Sequence, residues 1–214
     1  EVSSVVSMNN LFRRAKFFNT DISNWDVSKV TNMDGMFMDA TSFNIDISKW
    51  DVSSVSNMVS MFMNAAAFNI DISKWDVSRV KMMDYMFSST QQAMSFKHEL
   101  CGAAWVDSKA SKVSMFDGSS GSIASVACTS TTTLSENVSR RPIPDRELIA
   151  VTTSFSTKLQ AMQTFSPRSN KELKRVCDEC LKSSPKGDCG NGPHGPIGEW
   201  DVSRVTDMDD LLRY

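Results

Sequence analysis

No run of this 214-residue chain comes near the eighteen or more consecutive apolar residues of a membrane-spanning helix. The first residues show no charged leader followed by an apolar stretch, so no targeting segment is read there. A basic excess is missing as well: 23 Lys and Arg stand against 25 Asp and Glu, for a formal charge of −2. Without a cationic field to neutralise phosphates, nucleic acid is not an expected partner. Histidine is scarce. His98 and His194 are the only two, neither has a candidate nucleophile nearby in sequence, and no phosphate-cradling glycine motif accompanies them. The sequence therefore predicts neither an enzyme nor a cofactor.

What the chain has in abundance is itself. "FNTDISNWDVSKVTNMDGMF" (residues 18–37) returns 25 residues later as "FNIDISKWDVSSVSNMVSMF" and again as "FNIDISKWDVSRVKMMDYMF". Numbered from Glu1, the unit puts methionine at place 8 (Met8, Met33, Met58, Met83), phenylalanine or an equivalent at place 12 (Phe12, Phe37, Phe62, Phe87) and tryptophan at place 25 (Trp25, Trp50, Trp75). Self-similarity at such a period marks stacked units, none of which buries its apolar face alone. The predicted fold is a repeat solenoid, leucine-rich-repeat-like, in which identical coils stack like residues into core ladders. The apolar places 8, 11, 12 and 15 have helical spacing, which predicts one short helix per coil. "DISxWDVSxVxxM" is β-branched and aromatic, which predicts short parallel strands. Ten of the 14 methionines fall at places 8, 11 or 13, where the core reading outweighs a methionine-lined peptide groove.

Stacking also brings like charges together, in Asp21, Asp46 and Asp71 and in Asp26, Asp51 and Asp76. At about 5 Å and an effective dielectric of 20, each neighbouring pair repels by about 3 kcal/mol before compensation. Turn hydrogen bonds to the aspartates are the preferred compensation. A calcium ladder along Asp21, Asp46 and Asp71 is the alternative, disfavoured because the repeats lack the paired glycines of calcium-binding rolls.

The period decays after Phe87. The domain reading is repeats 1–25, 26–50, 51–75 and 76–100, a cap at 101–128, a polar linker at 129–168, and at 169–214 a helical N-terminal cap with the first coil of a second array. Both ends of the sequence read as cuts through arrays, as in an excerpt of a longer protein. A Cys101–Cys128 bridge would close a loop in the first cap. Asn137 begins a glycosylation sequon in the linker. "SNKELKRVCDECLKSS" opens with a capping-box pattern, Ser169 and Glu172, and presents Leu173, Val176, Cys177, Cys180 and Leu181 on one face. Cys177, Cys180, Cys189 and His194 amount to a zinc ligand inventory, but the two helical cysteines lie on the packing face. A Cys180–Cys189 disulfide is preferred, with Cys177 a buried thiol or an alternative partner. Paired cysteines favour an oxidising, extracellular setting.

"FNxDISxWDVSxVxNMxxMF" resembles the repeats of about 25 residues in BspA-like bacterial surface proteins. These are also described in mycoplasma lipoproteins and as PARCEL repeats, and occur in marine algae such as diatoms. The resemblance covers residues 1–87, and both cap segments resemble those of algal members. It implies a leucine-rich-repeat-like solenoid at the cell surface, used for adhesion, matrix or fibre formation, and brings no enzymatic site. The expected partner is protein, above all another copy of the chain in a fibre or matrix, with a glycan possible for an adhesin.

Overall fold

The computed structural model describes residues 2–90, 94–128, 165–186, 188–190, 192–202 and 204–211. Glu1–Cys128 and Thr164–Tyr214 form one compact unit. The second unit, Thr129–Gln163, lies outside the described residues, and with it the sequon at Asn137 and nearly all of the predicted linker.

Successive repeats meet through single-residue parallel bridges at place 7, running Ser7 to Asn32, Asn32 to Asn57, Asn57 to Met82 and Met82 to Ser111. Around each bridge the backbone pairs in a fixed rhythm. The amides of Met8, Asn10, Phe12 and Arg14 donate to the carbonyls of Asn32, Asp34, Met36 and Met38 at 2.7–2.9 Å. The next layer repeats this 25 residues on, with Met33, Gly35, Phe37 and Asp39 donating to Asn57, Val59, Met61 and Met63. In the opposite direction, place 6 donates to place 6 of the layer before, as in Thr31 to Val6 and Ser56 to Thr31.

This pairing explains why places 8–15 are not the helix that their spacing predicts. In an α-helix nearly every amide bonds within its own segment. Here alternate amides leave for the neighbouring layer, while those between them close local turns, as in Leu11 to Met8, Arg13 to Asn10 and Ala15 to Phe12. The alternation needs left-handed backbone at places 10 and 14. Positive φ is found at Asn10, Gly35, Ser60 and Tyr85, and at Arg14, Asp39 and Asn64. Asn, Asp and Gly take that conformation at little cost, and they occupy most of these positions. The burial pattern is nevertheless the one the helix would have given: Met8, Leu11, Phe12 and Ala15 are buried, as are their counterparts in the next two repeats and Met83, Met86 and Phe87 in the fourth. The predicted strands shrink for the same reason. Within the repeats they are mostly isolated bridges, and among the described residues the paired strands are β1 (Glu99–Leu100), at the end of the fourth repeat, and β2 (Ser122–Ile123), in the cap.

The core is an aromatic zipper. Place-12 rings stack along the array, Phe12 on Phe37 at 5.4 Å, Phe37 on Phe62 at 5.6 Å and Phe62 on Phe87 at 5.6 Å. Phe18, Phe43 and Phe68 form a second column at 6.0–6.2 Å. Within each layer the columns interlock, with Phe37 and Phe43 at 3.8 Å and Phe62 and Phe68 at 3.9 Å. Near-parallel pairs at such distances add roughly 0.5–1.5 kcal/mol each beyond burial. Met8, Met33, Met58 and Met83 fill the adjoining space with no exposure at all.

One end of the stack is closed by 94–128. Phe96 continues the second column and Phe116 the first. Helix α1 (Ala103–Val106) buries Trp105, whose indole N–H donates to the Ile72 carbonyl at 3.0 Å. Gly102 fits because a Cβ there would lie 1.9 Å from the Ser73 carbonyl oxygen. At the other end, helix α2 (Asn170–Ser183) starts at Ser169, whose hydroxyl accepts from the Glu172 amide. Glu172 in return accepts from Arg168 rather than from Ser169, so the reciprocal half of the capping box is displaced by one residue. The sequence predicts that residues 201–214 open a second array. In the structure Asp207 bridges to Ser7, and the described residues from Asp201 to Leu211 lie as a layer against repeat one. The reason is the repeat itself: a segment carrying the shared motif presents the same donors and acceptors as a neighbouring layer.

Candidate functional site at the first-repeat seam

Across the interior seams the tryptophan column is joined by indole hydrogen bonds. Trp50 Nε1 donates to the Ile22 carbonyl at 3.3 Å and Trp75 Nε1 to Ile47 at 3.1 Å, each reaching the layer before. The rings lie against phenylalanine, Trp25 on Phe12 at 5.8 Å and Trp50 on Phe37 at 6.3 Å. An asparagine column adds to them: the side-chain oxygen of Asn19 accepts from the Asn44 amide, Asn44 from Asn69, and Asn69 from Lys97.

The aspartate columns are satisfied within their own turns. Asp21, Asp46 and Asp71 accept from the amides of Ser23, Ser48 and Ser73, and Asp26, Asp51 and Asp76 from Ser28, Ser53 and Ser78. Hydroxyl donation from Ser23, Ser28, Ser48 and Ser78, reinforced by the same serines' amides, holds Asp21, Asp26, Asp46 and Asp76 below the usual carboxylate range. Asp71 is lowered in the same way, chiefly by the Ser73 hydroxyl. Among the described residues no group of three or more His, Cys, Asp or Glu is placed to hold a metal ion.

The cysteines divide into two bonded pairs and a thiol. Cys101 bonds to Cys128, tying the first cap shut, and Cys180 to Cys189, tying α2 to the loop after it. Cys177 is free and buried; burial, with Asp178 adding, pushes its thiol up to about 12. It therefore stays protonated near neutral pH and is a poor nucleophile. With Cys180 and Cys189 bonded to each other, the zinc set is not assembled.

The seam between repeat one and 165–211 is built differently from the others. It copies the ladder: Val6 donates to Thr206, Met208 to Ser7 and Asp210 to Asn9, at 2.8–3.0 Å. Lys186 adds its carbonyl to the Asn19 amide and the Thr20 hydroxyl. A 3-10 turn, Ile197–Glu199, approaches so closely that a Cβ on Gly198 would sit 2.5 Å from the Asp21 carbonyl oxygen. Yet the indole of Trp25, only 7% exposed, has no acceptor, although Ile197 stands three residues before Trp200 as Ile22 does before Trp25. Asn9 Oδ1 and Arg13 Nε are likewise buried without a hydrogen-bond partner. A cavity of about 420 Å³ opens between Arg14, Lys16 and Phe17 on one side and Leu181 and Pro185 on the other. Burial pushes the nearby Asp34 carboxyl up, with Arg13 opposing and Asp209 adding to the rise.

Motif reading missed this seam, because nothing in "EWDVSRVTDMDDLL" states which array it joins. The left-handed places did leave a signal, in the Asn, Asp and Gly at places 10 and 14. The family described as "Mycoplasma protein of unknown function, DUF285" matches residues 1–103 and 190–214, and the chain belongs to that family. No curated protein and no solved structure matches it. The two matched stretches, far apart in sequence, are the ones the structure places in adjoining layers.

Proposed function

We propose that the chain is a repeat solenoid acting as a non-enzymatic, extracellular structural protein, a subunit of a cell-surface fibre or matrix. The observation that carries this reading is the self-complementary ladder, in which the amides of each layer pair with the carbonyls of the next from Ser7–Asn32 to Met82–Ser111. A layer edge of this kind, wherever it is left uncovered, is a template for pairing with further chains. Two disulfides fit an oxidising compartment, and no helix among the described residues is long and apolar enough to cross a membrane. The likeness to BspA-type surface repeats points the same way.

A second reading, an adhesin or receptor ectodomain, is favoured by one feature. Met82, Tyr85 and Val113 are 41–57% exposed at neighbouring positions beside the locked end, where earlier layers carry polar or small residues at places 7 and 10. Electron microscopy of the purified protein at rising concentration separates the two. Filaments or lateral sheets support the fibre, whereas dispersed particles at every concentration sink it and leave the adhesin.

A further inference from the structure

We propose that a serine at place 7 makes a demand on the layer before it, met where that layer carries aspartate at place 9. By this rule the Asp84–Ser111 pair sets the cap on repeat four rather than one layer early. The rule concerns which layer can follow which, and it rests on the ladder, not on the fibre reading.

The ladder leaves the place-9 amide of each layer without a backbone partner, and side chains supply one in two ways. In repeats two and three the layer provides for itself. The Asp34 amide donates to Asn32 Oδ1 at 3.1 Å and the Val59 amide to Asn57 Oδ1 at 3.0 Å. Asp207 does the same for the Asp209 amide at 2.8 Å. An Asx turn of this kind closes inside one layer and asks nothing of the neighbour.

Where place 7 is serine, the acceptor comes from the preceding layer instead. Ser111 is the cap's place-7 residue, by its bridge to Met82. Asp84 Oδ1 accepts from the Val113 amide at 2.7 Å and from the Ser111 hydroxyl at 2.5 Å. Ser7 is held in the same way: Asp209 Oδ1 accepts from the Asn9 amide at 2.8 Å and from the Ser7 hydroxyl at 2.5 Å. The clasp needs both partners. Asp34 also stands at place 9, but the next layer carries Asn57, which already holds the Val59 amide, and no hydrogen bond among the described residues joins Asp34 to Asn57. Repeat four, with Met82 at place 7 and Val59 at place 9 of the layer before, uses neither way.

A stack of near-identical layers has reason to keep such a key. Backbone bonds and apolar columns that recur in every layer distinguish one position from the next only weakly. Set on repeat three, the cap would bring Ser111 and Val113 against Val59, which accepts nothing. A directional, charge-assisted pair at one joint thus penalises the wrong neighbour as well as favouring the right one.

The test is residue-resolved amide hydrogen exchange on the full chain, read by NMR at Val113 and Val59. Asp84→Val is expected to speed exchange at Val113 by about two- to tenfold, the range of one net hydrogen bond. Adding Ser111→Asn gives the cap an acceptor of the interior kind and should return Val113 to its original rate. In the interior, Asn57→Ser alone is expected to leave Val59 protected, because Asp34 stands where the clasp needs it. Combining it with Asp34→Val should release Val59. The Phe37 and Phe87 amides, which donate to the Met61 and Met115 carbonyls, report whether the ladder survives in each variant. Should Asp84→Val detach the cap altogether, Phe87 loses protection too and the interior pair decides. An unchanged Val113 in Asp84→Val, no recovery with Ser111→Asn, or a released Val59 in Asn57→Ser alone overturns the proposal. None of these readings depends on whether filaments form.

Discussion

Two seams of one stack, that between repeats two and three and that between repeat one and residues 201–211, use the same ladder and differ in everything laid over it. In the interior, Phe37 meets Phe62 with planes 3° apart, and Trp75 gives its indole proton to Ile47. At the terminal seam the ladder persists, but Trp25 gives its proton to nothing. Backbone register alone thus brings two layers together, and side-chain repetition makes the joint complete. A segment with the motif but a different flank, here α2 in place of a second half-coil, achieves the first without the second.

The largest expected break in that comparison comes from the zipper. Phe62→Ala removes a ring stacked on three neighbours and is expected to cost about 3–5 kcal/mol. In denaturant unfolding the main transition should move, because interior layers melt as one. Leu173→Ala, in α2, is expected to create an early transition for the terminal segment while leaving the main one in place. A single shifted transition for both variants would mean that the seams are equivalent after all.

Next in size is the locked end. Replacing Cys101 and Cys128 together by alanine frees a loop with a sequence separation of 27, an expected loss of roughly 3.5 kcal/mol in the chain-entropy description. Calorimetry under oxidising conditions checks it, and removal of the Cys180–Cys189 bond, separation 9, should cost less.

The sharpest contrast is between two tryptophans. Trp50→Phe removes the indole donor to Ile22 and is expected to cost about 1 kcal/mol from the lost hydrogen bond. Trp25→Phe removes a donor that is buried and unsatisfied, so its polar contribution should be neutral or favourable. Equal losses in the two variants would show that Trp25 has an acceptor in solution.

The smallest effect concerns protonation. Because the Asp34 carboxyl titrates above its ordinary range in the fold, the folded chain binds that proton better than the unfolded chain does. Its charge therefore costs stability at neutral pH, and the cost fades as pH falls through the raised value. Asp34→Asn is expected to stabilise the fold at pH 7 by less than about 1 kcal/mol after solvent screening, read as a small rise in melting temperature. The gain should vanish in acid. Detaching the terminal segment should shrink it too, since Asp209 is part of its cause.

Much of this was legible in the residues. The 25-residue unit marks Met33, Phe37, Trp50 and their counterparts, and these are the buried side chains. The local conformation was not, because apolar residues at places 8, 11, 12 and 15 suit a helix and a chain of turns equally well. Which one forms is decided by where the amides of Asn10 and Arg14 go, and that depends on the neighbouring layer. The seam was hidden for a related reason: Val205 and Met208 are as good a match to one array as to another. The missing acceptor of Trp25 is a property of fit and leaves no mark on composition.

The alternate-amide rhythm also sets how such a protein can change its length. Inserting one residue between Met8 and Phe12 would hand every donor to the wrong oxygen, whereas duplicating 25 restores each pairing and adds one layer, about 4.8 Å. Gene duplication can therefore lengthen the molecule only in whole steps, so its reach behaves as a ruler with fixed graduations.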